Sequence, residues 1–213
     1  MNNDVLTIAL AKGRLAERSV ELLNKCGAIK AGLDSIGRKL VFEQEGIRLL
    51  MVKPADVPIY VERGVADAGI VGKDTLLESG TPLYEMLDLN FGECRLCIAG
   101  FPQNAERAIT SANRRVATKY PNIAREFYAV RSENIDIIKL AGSVELAPIL
   151  GLSDVILDVV ESGRTLRENG LVVLEDICRV SARFVVNRVS LKTKGDRLKP
   201  LISEMARKLE EEK

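Results

Sequence analysis

Short apolar runs alternate with longer segments of helical period along this 213-residue chain, and this alternation is what most constrains its fold. The apolar run at residues 5–10 predicts a buried strand, and the apolar residues that follow recur at helical spacing until Gly27, a residue type that commonly ends helices. Strands and helices in alternation are typical of α/β proteins, in which helices connect the strands of a sheet. The sequence therefore predicts an α/β fold.

The same pattern continues to the end of the chain. Two β-rich runs separated by Gly46 predict an antiparallel pair, and a long β-rich stretch at 171–187 precedes a charged amphipathic helix. The predicted strands are 39–43, 48–52, 66–71, 82–89, 94–100, 115–118, 135–140 and 153–159, and the predicted helices begin near Pro54, Lys73, Asn104, Pro121, Ser143 and Asp196.

Charge and hydrophobicity narrow the class of function. The chain carries 31 Lys and Arg against 30 Asp and Glu, a net charge of +1, with neither a basic stripe nor an acidic tail, so no nucleic-acid partner is expected. No apolar run is long enough to span a bilayer, and residues 1–4 lead straight into a predicted strand rather than a signal peptide. A cytoplasmic protein without a membrane partner is the simplest interpretation.

The chain has no histidine, which excludes every His-based triad and leaves acid or base work at neutral pH to carboxylates, Lys, Tyr or the substrate. Cys94 and Cys97 form a Cys-x-x-Cys, but they lie in a predicted strand, where residues three apart point to opposite faces. No second pair has zinc-like spacing. We therefore expect the four cysteines to be buried or incidental free thiols.

Residues 158–166 have the composition of a phosphate-binding loop, because an apolar strand ends in acids and a Ser-Gly-Arg-Thr turn before a helical segment. Backbone N–H groups and hydroxyls of such a turn can converge on a phosphate, and Gly163 permits close approach. Asp158 and Glu161 could accept hydrogen bonds from ribose hydroxyls or hold a hydrated Mg²⁺, and this favours a sugar phosphate as the ligand. No Walker-type sequence occurs, which argues against a generic ATP-splitting loop. The alternative is an ordinary capped helix start after a buried strand.

A longer spaced pattern contains this loop: Glu-x5-Gly-x-Ser-x2-Ile-x-Asp-Val-x2-Ser-Gly-x-Thr-Leu, from Glu145 to Leu166. Its ten matched positions over 22 residues resemble the signature of the ATP phosphoribosyltransferase family. Further stretches extend the resemblance to roughly residues 5 to 190; they are Ala11-Lys12-Gly13-Arg14-Leu15, Gly37-Arg38-Lys39-Leu40, Lys53-Pro54-Ala55-Asp56-Val57, Gly69-Ile70-Val71-Gly72-Lys73-Asp74 and Ala117-Thr118-Lys119-Tyr120-Pro121.

The resemblance implies an enzyme that opens histidine biosynthesis by joining adenine N1 of ATP to C1 of 5-phosphoribosyl 1-pyrophosphate (PRPP), with release of pyrophosphate. It also implies two doubly wound α/β lobes with a central cleft that holds the active site, similar to type II periplasmic binding proteins. No flexible linker separates the halves, which fits domains joined by crossing strands. We expect domain I at residues 1–90 plus 171–213, and domain II, with the phosphate loop, at 91–170.

The implied reaction assigns roles to residues. Adenine N1 already carries a lone pair, so the protein must chiefly align two reactants and neutralise charge on the leaving pyrophosphate, with Mg²⁺ held mainly by phosphate oxygens and water. The resemblance implies Arg14 and Arg38 as the catalytic cations, and an ordinary surface Arg is the alternative for each. The expected PRPP-binding residues are Asp158, Glu161, Ser162, Gly163, Arg164, Thr165 and Glu145, and the expected ATP-binding residues are Lys12, Gly13, Lys53, Gly72, Asp74 and Tyr120.

Several of these assignments have plain structural alternatives. Lys53 could be an exposed lysine, Asp74 could compensate helix-end charge, and Tyr120 before a proline could be a packing corner rather than a platform for adenine. Glu145 could bind ribose or make only a structural contact. At Ser162 many family members carry Thr, which preserves the hydroxyl.

The chain stops with one helix after Asn187, where long-form members of the family continue with a histidine-binding domain, so it resembles the short form. Short-form chains form homodimers and work with a regulatory subunit resembling histidyl-tRNA synthetase in a hetero-octamer, and the resemblance alone implies that partner.

Two other functions stay open. One is a solute-binding or ligand-sensing module with the same lobes. The other is a phosphoribosyltransferase of the common type, although that type normally has two adjacent acids in its loop.

Overall fold

The computed structural model describes residues 5–30, 32–37, 39–104 and 114–212, and the chain forms two compact units. Unit 1 combines the residues up to Gly92 with those from Ser181 onward, and unit 2 comprises Glu93–Val180. Each unit contains its own sheet with helices, which confirms the predicted α/β class with two lobes. No helix among the described residues has both the length and the apolar character needed to cross a bilayer.

The strands follow the predicted apolar runs closely. Over the described ranges they are β1 Leu6–Ala11, β2 Val41–Gln44, β3 Ile47–Val52, β4 Ala68–Gly72, β5 Tyr84–Asp88, β6 Cys94–Gly100, β7 Arg114–Thr118, β8 Ile135–Lys139, β9 Val155–Val160, β10 Val172–Val180 and β11 Ala182–Val186. The helices there are α1 Ala16–Lys25, α2 Leu33–Ile36, α3 Val57–Glu62 (preceded by a 3₁₀ turn, Pro54–Asp56), α4 Lys73–Ser79, α5 Pro121–Ala129, α6 Leu146–Ile149, α7 Arg164–Glu168, α8 Arg188–Thr193 and α9 Gly195–Glu211.

The sheet of unit 1 has the strand order β2-β3-β1-β4-β11-β5. Strand β1 pairs in parallel with both β3 and β4, while β2 forms the predicted antiparallel hairpin with β3. Strand β11 returns after unit 2 and lies between β4 and β5, antiparallel to both. The carboxyl ends of β3, β1 and β4 therefore lie side by side along one edge.

The sheet of unit 2 has the order β10-β6-β9-β7-β8. Strands β9, β7 and β8 run parallel, with β6 and then β10 added antiparallel in turn. Apolar side chains are buried on both faces of each sheet, as a doubly wound arrangement requires. Cys94 and Cys97 of β6 belong to clusters on opposite faces, which confirms the expectation from their spacing.

The domain boundary expected at residue 171 needs correction. The family resemblance places residues 171–180 in domain I, as part of the returning C-terminal segment. In the structure β10 pairs along its length with β6, from Val172 opposite Gly100 to Val180 opposite Cys94, and so belongs to unit 2. The helix predicted near Asn104 falls on residues 105–113, which lie outside the described residues.

Helix α8 was absent from the sequence prediction, and a buried carboxylate fastens it to unit 1. Asn187 caps α8 by accepting from the backbone N–H groups of Val189 and Ser190. Asp67, only 5% exposed, accepts from the Thr7 backbone N–H (2.8 Å), from the Ser190 hydroxyl (2.7 Å) and from Lys194 Nζ (2.8 Å). A carboxylate buried with three donors is well compensated, so this network ties the returning segment to β1.

Candidate functional site

The carboxyl ends of the parallel strands of unit 2 carry several residues that can bind a ligand or take part in a reaction. Strand β9 leads into the loop at 161–163, and β7 leads into Lys119 and Tyr120. Because β9 and β7 are neighbours and parallel, these segments lie at the same edge of the sheet. Ligands of open α/β sheets bind outside this edge.

The loop between β9 and α7 is a tight turn built around a glycine. Gly163 has a φ of 67° and immediately precedes α7, so the backbone enters the helix from the left-handed region. Ser162 Oγ accepts from the Arg164 backbone N–H at 3.3 Å, and Arg167 Nη1 donates to the Ser162 carbonyl at 2.9 Å. Leu166, buried in the core of unit 2, anchors the helix from below.

A cavity of about 210 Å³ opens on this loop. It brings together every residue that the sequence assigned to PRPP, and six residues without such an assignment complete its wall. The lining residues are Cys97, Ala99, Glu145, Ile156, Asp158, Val159, Val160, Glu161, Ser162, Gly163, Arg164, Thr165 and Leu166.

Asp158 lines the cavity with its side chain only 16% exposed. Burial raises the pKa of this carboxyl above its ordinary value, and the Lys119 ammonium and the Val159 backbone N–H partly oppose the rise. The negative charge of Glu145 adds to it. Lys119 Nζ lies 3.4 Å from Asp158 Oδ1, so the two side chains form an ion pair.

Tyr120 is packed into the core rather than presented to a ligand. Tyr120 is only 5% exposed and belongs to the same hydrophobic cluster as Ile123 and Tyr128. Lys119 Nζ lies 4.9 Å from the centroid of its ring. The packing-corner alternative therefore describes this ring, and a stacking role for adenine does not fit it. Its neighbour Lys119 was not assigned a role from the sequence, because a lysine after a buried strand carries no signal of its partner.

The predicted ATP-binding residues other than Tyr120 lie in unit 1 together with Arg14, at the carboxyl ends of adjacent parallel strands. Lys12, Gly13 and Arg14 follow β1, Lys53 follows β3, and Gly72 with Asp74 ends β4 and begins α4. The Lys12 backbone N–H donates to the Val52 carbonyl at 2.8 Å, which holds the first two segments together. The structure thus gathers these residues at one edge of the sheet.

The local geometry of this edge explains two of its glycines. Gly13 has a φ of 93°, which a side chain would strain. A Cβ on Gly72 would lie 2.1 Å from Asp74 Oδ1, so the carboxylate folds back over the glycine.

Arg14 is exposed, with Nη2 3.4 Å from the Gly92 carbonyl, and Lys53 is exposed as well. Arg38 lies outside the described residues.

The thiols of the described chain form no disulfide. Cys97 donates to Asp176 Oδ1 at 3.0 Å, and burial, reinforced by that carboxylate, raises the pKa of its thiol to about 12. Arg95 Nη1 binds the same carboxylate at 2.7 and 2.8 Å. A protonated thiol in the cavity wall is a weak nucleophile and metal ligand, which agrees with the expectation of incidental cysteines.

Comparisons with known proteins agree with the sequence pattern. The family model described as ATP phosphoribosyltransferase matches residues 53–211. An ATP phosphoribosyltransferase of Caldanaerobacter subterraneus subsp. tengcongensis is 54% identical over 201 residues, covering 93% of this chain and 95% of that protein. One from Ruminiclostridium cellulolyticum is 56% identical, covering 92% of this chain and 94% of its own.

Solved structures give the same result at the level of the fold. A chain of the ATP phosphoribosyl transferase (HisG:HisZ) complex from Thermotoga maritima is 38% identical, with a TM-score of 0.86 over 97% of this chain and 100% of that chain. The BvgS VFT2 domain of Bordetella pertussis has a TM-score of 0.58 over 96% of this chain and 93% of its own at 12% identity, so it shares the fold alone.

Proposed function

The chain belongs to the ATP phosphoribosyltransferase family, and on that premise we propose that the cavity of unit 2 is where it binds PRPP. The enzyme is a pentosyltransferase that catalyses the first step of histidine biosynthesis, in which adenine N1 of ATP displaces pyrophosphate from C1 of PRPP. The observation that carries the assignment of the site is the gathering of Glu145, Asp158 and the loop at 161–165 around one cavity.

The loop is built to hold the 5-phosphate. Backbone N–H groups at the start of α7 and the hydroxyls of Ser162 and Thr165 are donors, and the left-handed Gly163 lets the backbone approach the phosphate without a Cβ in the way. Asp158 and Glu161 are acceptors for ribose hydroxyls, and Glu145 lines the same wall. Arg164 adds positive charge at the first position of the helix.

The edge of unit 1 supplies the residues proposed for ATP and for the leaving group. Arg14 presents a guanidinium that suits bidentate contact with phosphate oxygens, and Lys53 presents a second exposed cation at the neighbouring strand end. Lys12, Gly13, Gly72 and Asp74 complete the proposed nucleotide-binding edge. Arg38 keeps its catalytic assignment from the family resemblance.

The chemistry asks for alignment and charge neutralisation rather than proton transfer. The attacking nitrogen carries its own lone pair, and charge grows on the departing pyrophosphate as the C1–O bond breaks. In the parts of the chain that the structure describes, no three side chains of the metal-binding types are grouped to hold an ion. The carboxylates of Asp158 and Glu161 fit a Mg²⁺ that is coordinated mainly by substrate phosphates and water. When bound, that ion stabilises the charge on the leaving group.

The proposal extends to a partner and a location. The Thermotoga maritima neighbour, which this chain matches over 100% of its length, was solved as a HisG:HisZ complex. We expect this enzyme to form homodimers and to assemble with a regulatory subunit resembling histidyl-tRNA synthetase into a hetero-octamer in the cytoplasm. Inhibition by histidine would then require the second protein, and inhibition of the purified chain alone would contradict this assembly.

Turnover with ATP, PRPP and Mg²⁺ tests the function. Pyrophosphatase pulls the equilibrium forward, and the ultraviolet absorbance of the N1-substituted adenine reports the product. Product from the purified chain supports the reaction and a self-sufficient catalytic unit. Product that forms only after the regulatory subunit is added supports the reaction and makes the partner essential. Absence of product in both cases would overturn the proposal.

A further inference from the structure

The end of β7 places a lysine against the carboxylate proposed to bind ribose. Thr118 of β7 lies opposite Leu157 of β9 in the parallel register, so the next residues along, Lys119 and Asp158, are neighbours at the edge of the sheet. Their side chains meet with Nζ 3.4 Å from Oδ1. Lys119 itself is not one of the residues that line the cavity, but its partner Asp158 is.

Lys119 is held in place by its surroundings. The Thr118 hydroxyl donates to the Leu157 carbonyl at 2.6 Å and accepts from the Tyr120 backbone N–H at 2.8 Å, which pins the backbone on both sides of the lysine. The buried Tyr120 ring lies beneath the ammonium at 4.9 Å. A lysine ammonium fixed between a ring face and a carboxylate has lost much of the freedom of an exposed side chain, and this reduces the entropy cost of binding.

The pair places a donor and an acceptor side by side, which suits a ligand that is anionic and also carries hydroxyls. Lys119 keeps 40% of its side chain exposed, and an ammonium has three donor hydrogens, so it can serve Asp158 and a second acceptor together. Asp158 turns a buried Oδ1 toward Lys119, and its side chain lines the cavity. The other groups that face Asp158 are the Val159 backbone N–H, Glu145, and Cys97 directly across on β6.

We propose that Lys119 and Asp158 bind the phosphoribosyl donor as one unit, in which Asp158 accepts from a ribose hydroxyl while Lys119 donates to an anionic oxygen of the same molecule. The inference rests on the proposed function of the cavity and adds Lys119 to its substrate-binding residues. Lys119 also positions Asp158, because removing the ammonium leaves a mostly buried carboxylate without its ion-pair partner.

Steady-state kinetics of Lys119→Met tests the pair. The KM for PRPP should rise about 10- to 100-fold, while the KM for ATP stays within about twofold. Lys119→Arg should recover most of the affinity because it restores the charge. Lys139→Met is the matched control, since Lys139 is an exposed lysine at the end of the neighbouring strand β8, and its KM values should not change.

The double variant Lys119→Met/Asp158→Asn distinguishes a unit from two independent contacts. If the two side chains act together, the double variant loses little more PRPP affinity than Asp158→Asn alone. Multiplying losses would overturn the proposal, as would an unchanged KM for PRPP in Lys119→Met. A lowered melting temperature with an unchanged KM would also overturn it, because it would reduce Lys119 to a structural role.

Calorimetric titration of PRPP with Mg²⁺ into each variant separates this inference from the proposed function. PRPP binding that weakens in Lys119→Met and recovers in Lys119→Arg supports the pair even if turnover fails for another reason. PRPP binding that is equal in all variants overturns the pair and leaves the turnover result to decide the function.

Discussion

Replacing Gly163 by Ala is the sharpest test of the loop. Gly163 has a φ of 67°, and a Cβ there would lie 3.2 Å from Arg167 Nη1, the group that donates to the Ser162 carbonyl. The substitution therefore strains the backbone and pushes on the side chain that braces the turn. We expect donor binding to weaken because the N–H groups that face the phosphate no longer converge.

The magnitude follows from two contributions. A residue with a Cβ in the left-handed region costs roughly 1–2 kcal/mol of folding stability. Each hydrogen bond lost to a charged phosphate costs about 1.5–3 kcal/mol of binding. Since about 1.4 kcal/mol is a factor of ten, losing one such bond raises the KM for PRPP by about 10- to 100-fold.

Gly170→Ala is the matched control. Gly170 has a φ of 71° after the end of α7, and a Cβ there would meet Phe101 Cε1 at an ordinary 3.8 Å. Both variants should lose similar stability in thermal unfolding, and only Gly163→Ala should raise the KM for PRPP in the turnover assay. Wild-type KM in both variants would refute the loop assignment, and an equal rise in both would show that backbone strain rather than the loop is responsible.

Three further predictions concern stability, a thiol and catalysis. Asp67→Ala should destabilise the protein by about 3–5 kcal/mol in chemical denaturation, because it removes the ion-pair partner of Lys194, which is 16% exposed, and the acceptor of the Thr7 N–H and the Ser190 hydroxyl. The surface variant Glu62→Ala should stay within about 0.5 kcal/mol. A loss below about 1 kcal/mol for Asp67→Ala would contradict the buried network. Burial raises the pKa of the Cys97 thiol to about 12, so the thiol stays protonated at pH 8. Iodoacetamide should therefore label Cys97 far more slowly than an ordinary thiol at pH 8, as followed by mass spectrometry. Rapid labelling would contradict the burial. Arg14→Ala should lower turnover more than tenfold in steady-state assays, and an unchanged rate would remove Arg14 from the mechanism.

Much of the fold follows from local patterns in the sequence. The strand Leu6–Ala11 is recognisable as an apolar run, and all of its residues are buried in the structure. The hairpin of β2 and β3 is recognisable from Gly46. The boundary at residue 171 could not be found in this way. The run from 172 to 186 has a uniform β character, and only its pairing, first with β6 and then with β4, divides it between units.

The candidate site likewise contains residues that the local sequence predicts and residues whose surroundings depend on the tertiary structure. The loop at 161–165 carries its own signal in hydroxyls, a glycine and acids, so its place around a cavity was predictable. Tyr120 was proposed for adenine because aromatic rings are scarce in this chain, yet its burial depends on packing against α5. The role of Lys119 depends on Asp158, which is distant in sequence and adjacent only through the register of β7 and β9.

The position of β11 has a consequence for how the chain is made. Ala182–Val186 occupies the slot between β4 and β5, so the sheet of unit 1 lacks an internal strand until the ribosome has synthesised all of Glu93–Val180. Unit 2 is continuous and can fold as soon as it emerges, although unit 1 is encoded first. Until β11 arrives, the edge of β4 is unpaired and β5 has no neighbour, which favours slow completion and exposes a strand edge to aggregation. A purified fragment that ends at Val180 should therefore contain a protease-resistant unit 2 and a protease-sensitive unit 1.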